Sequence, residues 1–160
     1  MSTPPPPKDL GPAVRFPPPI LFLAGLGCGA LLDRLVPLWR LPDAPAMAGA
    51  GLVLVLSGLA LVYAGIVTFR RFRTAVYPNR PAKLVVDSGP FAYTRNPMYV
   101  GMTVFYAGMV LLLRSVWAVV FLPVVLGLLV RFVIRREERH LTQRFPEEYA
   151  AYCARVPRWL

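Results

Sequence analysis

The sequence predicts an all-α protein that crosses the membrane about four times and ends in amphipathic helices outside it. Three observations carry this expectation. Hydrophobic residues make up 56% of the 160-residue chain and charged residues 16%, against about a quarter charged in soluble domains. Apolar runs recur at about twenty residues, the length that carries a helix through a hydrocarbon core. Lys and Arg gather at the ends of those runs, as topology signals do.

The length predicts one domain, over 18–160. Before it, "MSTPPPPKDLGP" opens a proline-rich stretch that predicts a flexible or polyproline tail over 1–17, with no cleavable leader. The first span is Pro19–Leu38, with Asp33 and Arg34 near its far end. The second is Ala46–Phe69, where Gly49, Gly51, Gly58 and Gly65 allow close helix approach. The third is Pro97–Leu113 and the fourth is Ser115–Ile134, with Pro123 as an expected kink. Arg114 and Ser115 alone separate these two, which predicts a tight helical hairpin.

Arg70, Arg71, Arg73, Arg80, Lys83 and Arg95 lie between spans two and three. Arg131, Arg135, Arg136, Arg139, Arg144, Arg155 and Arg158 follow in the C-terminal part. The opposite side holds only Arg34, Arg40 and Arg114. Positive-inside bias then places both termini and the loop before span three in the cytoplasm. The net charge of +10 fits topology and anionic headgroups. No basic, aromatic-laced soluble face for nucleic acid is evident.

Beyond span four the helical period continues. Arg136, His140 and Arg144 form one polar stripe. Glu137 falls on a largely apolar stripe with Val133 and Leu141. A carboxylate there needs a partner. "FPEEYAAYCARVPRWL" then restarts a helix. Pro146 suits its first position, Glu147 and Glu148 its first turn, and Tyr149, Tyr152 and Val156 line one face. Trp159 suits an interfacial anchor.

Two distant cysteines, Cys28 and Cys153, make no disulfide framework, and with the single His140 they make no metal site. No P-loop, no GxGxxG after a strand and no Ser-His-Asp set can be assembled. The informative stretch is "GPFAYTRNPMYVGM", Gly89–Met102. Gly89-Pro90 reads as a turn, and Pro97 as the first residue of span three. A helix N-terminus beside Arg95 suits an anion. Phe91, Tyr93 and Tyr99 bring aromatic faces to the same place. With Glu137, these could suit a zwitterionic cofactor carrying a sulfonium and an adenine.

"LVVDSGPFAYTRNPMYVGM", followed after one hairpin by "EERHLTQRFPEEYAAYCARVP", resembles the isoprenylcysteine carboxyl methyltransferase / phospholipid methyltransferase family. Those are small membrane enzymes that use S-adenosylmethionine without a Rossmann domain. The family pattern is Arg-His-Pro-x-Tyr, then Glu-Glu-x-x-Leu, then Phe-Gly-x-x-Tyr-x-x-Tyr, and the likeness covers about Arg70 to Pro157. It implies that Lys83, Leu84, Val85 and Val86 present backbone to the cofactor. Phe91 stands at a cofactor-contacting Tyr. Asn96, Pro97, Met98 and Tyr99 occupy the His-Pro-x-Tyr positions, and Glu137 is the acidic cofactor ligand. Arg95 and Tyr99 are the expected catalytic residues. Arg131, Arg135, Tyr149 and Tyr152 are expected toward the substrate.

Asn96 replaces the family's His, Pro146 replaces a Gly, and Val133 stands where the isoprenylcysteine enzymes hold their substrate with an arginine. The likeness therefore does not carry a prenylcysteine carboxylate over as acceptor. The expected reaction is methyl transfer from S-adenosylmethionine, leaving S-adenosylhomocysteine, to a lipid-like carboxylate, amine or thiol. The expected setting is a bacterial inner membrane, with the bilayer as partner and neither metal nor nucleic acid. Two alternatives share the signal: a non-catalytic lipid- or metabolite-binding relative, and a nicotinamide-dependent membrane reductase, for whose additional spans this chain has no room. Binding of S-adenosylmethionine without methyl transfer separates the first of these from an enzyme.

Overall fold

The structure is a computed structural model that describes residues 12, 14, 17–37, 40–74 and 82–160. Nearly all of the tail expected over 1–17, together with Leu38 and Arg80, lies outside the described residues. The elements run α1 (Pro18–Leu35), α2 (Pro45–Arg71), a 3-10 turn (Gly89–Ala92), α3 (Pro97–Leu113), α4 (Val116–Leu129), a π-helical turn (Val130–Ile134), α5 (Arg135–Arg144) and α6 (Pro146–Arg155). Among the described residues there is no strand, so the all-α expectation holds.

Proline starts four of the helices: α1, α2, α3 and α6 each carry one in the first turn. Its missing N–H costs nothing there and its fixed φ suits the helix. The fourth long helix starts differently. Ser115 caps α4, its hydroxyl accepting the Ala118 N–H at 2.9 Å. The first span ends at Leu35, short of the expected Leu38. Pro37 disfavours helical torsions in the residue before it, and Val36 sits at φ −132°, ψ 77°.

α1, α2 and the continuous run from Val116 to Arg144 are long and apolar enough to cross a membrane, and α3 is a shorter apolar helix of 17 residues. The outward faces are apolar: Leu23, Leu56, Tyr63 and Val124 are all more than half exposed. This is an integral membrane protein.

Glycine sets the packing of α2 on α3. Gly51, Gly58 and Gly65 recur every seventh residue on α2, and α3 answers with Gly101 and Gly108. A Cβ on Gly58 would lie 2.5 Å from the Gly101 carbonyl oxygen, and one on Gly108 would lie 2.6 Å from that of Gly51. Backbone therefore touches backbone, as small-residue seams permit in lipid. Gly49 does not join the seam; its side faces open space. α1 packs on α4 in the same manner, with Gly29 against the Ala118 backbone and Gly25 against Val125. Tyr106 fills the centre, fully buried, its hydroxyl donating to the Ala118 carbonyl at 2.9 Å.

The hairpin between α3 and α4 turns on Arg114, which adopts the left-handed conformation at φ 56°. Its Nε donates to the Leu41 carbonyl at 2.9 Å, and its guanidinium pairs with Asp43. The α1–α2 and α3–α4 connections are thus tied at one membrane edge.

The helix entered by α4 continues through Pro123. It leaves α geometry later, at the π turn, where the Arg135 N–H donates to the Val130 carbonyl five residues back. The wider turn inserts one residue's worth of rotation. Val133 and Ile134 are consequently both buried in the core.

Gly58→Ala is expected to cost about 1–3 kcal/mol, because the added methyl meets backbone. Gly49→Ala is expected to be neutral or slightly stabilising through helix propensity. Reversible denaturation in detergent micelles compares the two; equal effects would contradict the glycine seam.

Candidate functional site

A cleft opens at the end of the bundle where α2 finishes and α3 begins. It encloses about 790 Å³ of empty space, the open mouth included. One wall is Phe69, in the last turns of α2. It stacks on Phe91 of the 3-10 turn, with ring centroids 4.7 Å apart and planes at 16°. The floor is the start of α3, Asn96 to Tyr99, and α5 closes the far side with Glu137, His140 and Leu141. Leu84, Val85 and Val86 form an extended lip, and Tyr152 of α6 completes the rim.

Local chemistry explains each placement. Gly89 takes φ +59°, where a side chain would be strained, and a Cβ there would lie 3.0 Å from Thr68 Oγ1 of α2. This turns Phe91 inward onto Phe69. Pro97 starts α3 with its ring buried. Two residues on, Tyr99 is 7% exposed, and its hydroxyl donates to Glu137 Oε1 at 2.8 Å. That bond supplies the partner the apolar stripe demanded of Glu137. It joins α3 to α5 across the cleft and leaves carboxylate capacity for further donors.

The neighbouring carboxylate does something else. Glu138 accepts a forked pair of bonds from Arg158, at 2.7 Å from Nε and 2.8 Å from Nη2, and Arg95 Nη1 lies 3.5 Å from it. The Glu138 carboxylate in turn raises the proton affinity of Arg158. Arg95 also donates to Cys153 Sγ at 2.8 Å and reaches the Tyr149 hydroxyl at 3.5 Å. The last residues of the chain form a strap over the loop before α3. The Arg95 N–H donates to the Pro157 carbonyl at 2.9 Å, while Thr94 Oγ1 and Asn96 Nδ2 donate to that of Arg158 at 3.1 and 2.9 Å. The Tyr152 hydroxyl donates to the Phe91 carbonyl at 2.7 Å. Burial raises the proton affinity of Tyr149 and Tyr152 above the usual phenol range, so both stay protonated.

Leu84, Val85, Val86, Phe91, Asn96, Pro97, Met98, Tyr99, Glu137 and Tyr152, singled out in the sequence, thus surround one cleft. Lys83, Arg95, Arg131, Arg135 and Tyr149 do not line it. Lys83 is exposed and holds Thr74 through its backbone N–H. Arg95 and Tyr149 stand behind the loop. Arg131 and Arg135 point outward, Arg131 over the Phe132 ring. Among the described lining residues there is no Lys or Arg.

Leu141 lines the cleft on the stripe it shares with Glu137, whereas Phe69 and His140 are lining residues the sequence does not single out. His140 follows Glu137 by three residues, so helical spacing puts it on the same face, although it also falls on the polar stripe with Arg136 and Arg144. Phe69 carries no motif signal.

The family model described as phospholipid methyltransferase matches residues 47–148, more than half of the chain. The chain belongs to the phospholipid methyltransferase family. The matched segment holds α2, the cleft loop, α3, α4 and α5. The chain is also 31% identical over 100 residues to the cobalt-zinc-cadmium resistance protein CzcN of Cupriavidus metallidurans, covering 62% of this chain and 46% of that protein. It therefore spans about half the length of that relative. No solved structure matches.

Glu138→Ala is expected to loosen the strap by about 1–2 kcal/mol, the value of a charge-assisted pair discounted for the partial exposure of Arg158. Hydrogen exchange would show it as faster exchange at the amides of Arg95 and Val156 with α2 unchanged. Unchanged exchange at both amides would refute the clamp.

Proposed function

We propose that this phospholipid methyltransferase family member transfers a methyl group from S-adenosylmethionine to a lipid-like acceptor, with the cofactor held in the cleft between α3 and α5. The observation that carries this reading is the Tyr99–Glu137 hydrogen bond across the cleft, 2.8 Å long, at the positions the family motif supplies. The donor set fits such a cofactor. A carboxylate with free lone pairs suits hydroxyls or an ammonium, and the stacked pair of Phe69 and Phe91 offers a face to a planar base. The bound cofactor supplies an activated methyl on a sulfonium.

The chain's own residues bind, align and exclude water. Leu84, Val85 and Val86 offer backbone groups along the lip. Tyr99 fixes the rotamer of Glu137, so the carboxylate is presented without reorganisation. Glu137 holds a part of the cofactor remote from the sulfur. Charge is lost from sulfur during transfer, so an adjacent carboxylate would favour the ground state. Arg95 is a positioning residue. Through Glu138 and Cys153 it fixes the loop that carries Asn96 and Tyr99. Alignment of donor and acceptor is the main contribution to rate. The acceptor enters from the bilayer and the cofactor from the cytoplasm, with both termini cytoplasmic in a bacterial inner membrane. Residues 18–160 act as one domain.

Purified protein in nanodiscs is expected to bind S-adenosylmethionine and S-adenosylhomocysteine in calorimetry. Tyr99→Phe and Glu137→Gln should each weaken binding about tenfold while circular dichroism is unchanged, the value of one charge-assisted bond. Labelled methyl should then appear in a membrane-lipid extract. A folded protein that binds neither compound disproves the reading. Binding without transfer to any lipid leaves the metabolite-binding alternative.

A further inference from the structure

α5 and the turn before it have two opposed faces. Glu137 and Leu141 face the cleft. Arg135 and Arg139 lie about half a turn away from Glu137 at 100° per residue. Arg131, Arg135 and Arg139 recur every fourth residue, and all three are exposed. None has an acidic partner within ion-pair distance among the described residues; Arg131 alone has a further contact, with the Phe132 ring. The same helix supplies the context. Val120, Val124 and Leu128 are exposed at the same spacing just before Arg131, and Phe132 is 46% exposed. A lipid-facing apolar stripe thus runs directly into an arginine stripe.

We propose that Arg131, Arg135 and Arg139 form a docking site for an anionic phospholipid, on the side of the helix away from the cleft. The acyl chains lie along Val124 and Leu128, and the headgroup phosphate meets the guanidinium row. Charge complementarity and depth both select this occupant. The row sits where hydrocarbon ends, and guanidinium binds phosphate oxygens through paired, planar N–H donors. A neutral lipid with a zwitterionic head offers the same phosphate beside a compensating cation, so it binds less well. This lipid is a resident partner and not the methyl acceptor, because the row does not border the cleft.

The test uses the full chain in nanodiscs of equimolar phosphatidylglycerol and phosphatidylcholine, with native mass spectrometry counting the lipids retained on the released protein. Wild type is expected to retain phosphatidylglycerol in excess. Arg131→Gln/Arg135→Gln/Arg139→Gln should lose that excess. Near a membrane surface each arginine contributes about fivefold, so the three together contribute at most on the order of 100-fold. Arg70→Gln/Arg71→Gln/Arg73→Gln removes the same charge from the end of α2 and should keep the excess. Arg131→Lys/Arg135→Lys/Arg139→Lys keeps the charge without the planar donors, is the milder change should the glutamine variant misfold, and should retain only part of the excess. No excess in wild type, full retention in the lysine variant, or equal loss in the two glutamine variants overturns the site.

Discussion

Backbone contact between α2 and α3 governs where every group in the cleft sits. Without Cβ atoms at Gly51, Gly58, Gly101 and Gly108 the two helices lie against each other directly. In lipid there is no apolar-burial gain for bringing helices together, so close van der Waals approach carries the association. The seam ends at the cleft: Gly65 admits the Met98 side chain, and Phe69 follows one turn later. A wider spacing would separate Phe69 from Phe91 and draw the start of α3 away from α5. Site and seam are therefore one construction. A methyl group added at mid-membrane would displace aromatic walls several turns distant.

The second constraint is the division of labour between two adjacent carboxylates. Consecutive helical residues differ by 100°, so Glu137 and Glu138 cannot serve the same surroundings. Glu137 meets Tyr99 at the cleft, and Glu138 is taken up by Arg158 and Arg95. Each resolves a burial cost with a specific partner. The pair couples the cleft to the strap mechanically, since one helix turn carries both. Order in the last residues of the chain is then felt at the carboxylate facing the cleft.

Much of this could be read from residues with strong local rules. Pro97 and Pro146 start helices because their geometry allows little else, and the glycines of the second span signalled a close-packed face, though Gly49 lies outside it. The need of Glu137 for a partner was legible from its stripe. That the partner is Tyr99 was not, because 38 residues separate them and only the fold of the α3–α4 hairpin joins them. The π turn escaped notice because a 3.6-residue period carries no sign of an inserted residue, and Val133 and Ile134 are equally apolar. The strap escaped for another reason. Its bonds are made by the Pro157 and Arg158 carbonyls, and backbone acceptors have no sequence signature. Arg95 suggests an anion seat in the sequence because its side-chain partners Glu138 and Cys153 come from two later helices.

Asn96 shows how a departure from a family pattern can be accommodated. The family has histidine there, and both side chains offer an N–H donor. Here the amide donates to the Arg158 carbonyl at 2.9 Å. That acceptor is also used by Thr94, and the Arg95 N–H takes the adjacent carbonyl of Pro157. Three consecutive residues before α3 thus hold two consecutive carbonyls of the strap. An amide does not titrate, so the Asn96 bond does not depend on side-chain protonation. The loop that presents Tyr99 to Glu137 is accordingly held by neutral donors at every one of these points. Charge enters one step further out, where Arg95 and Arg158 meet Glu138.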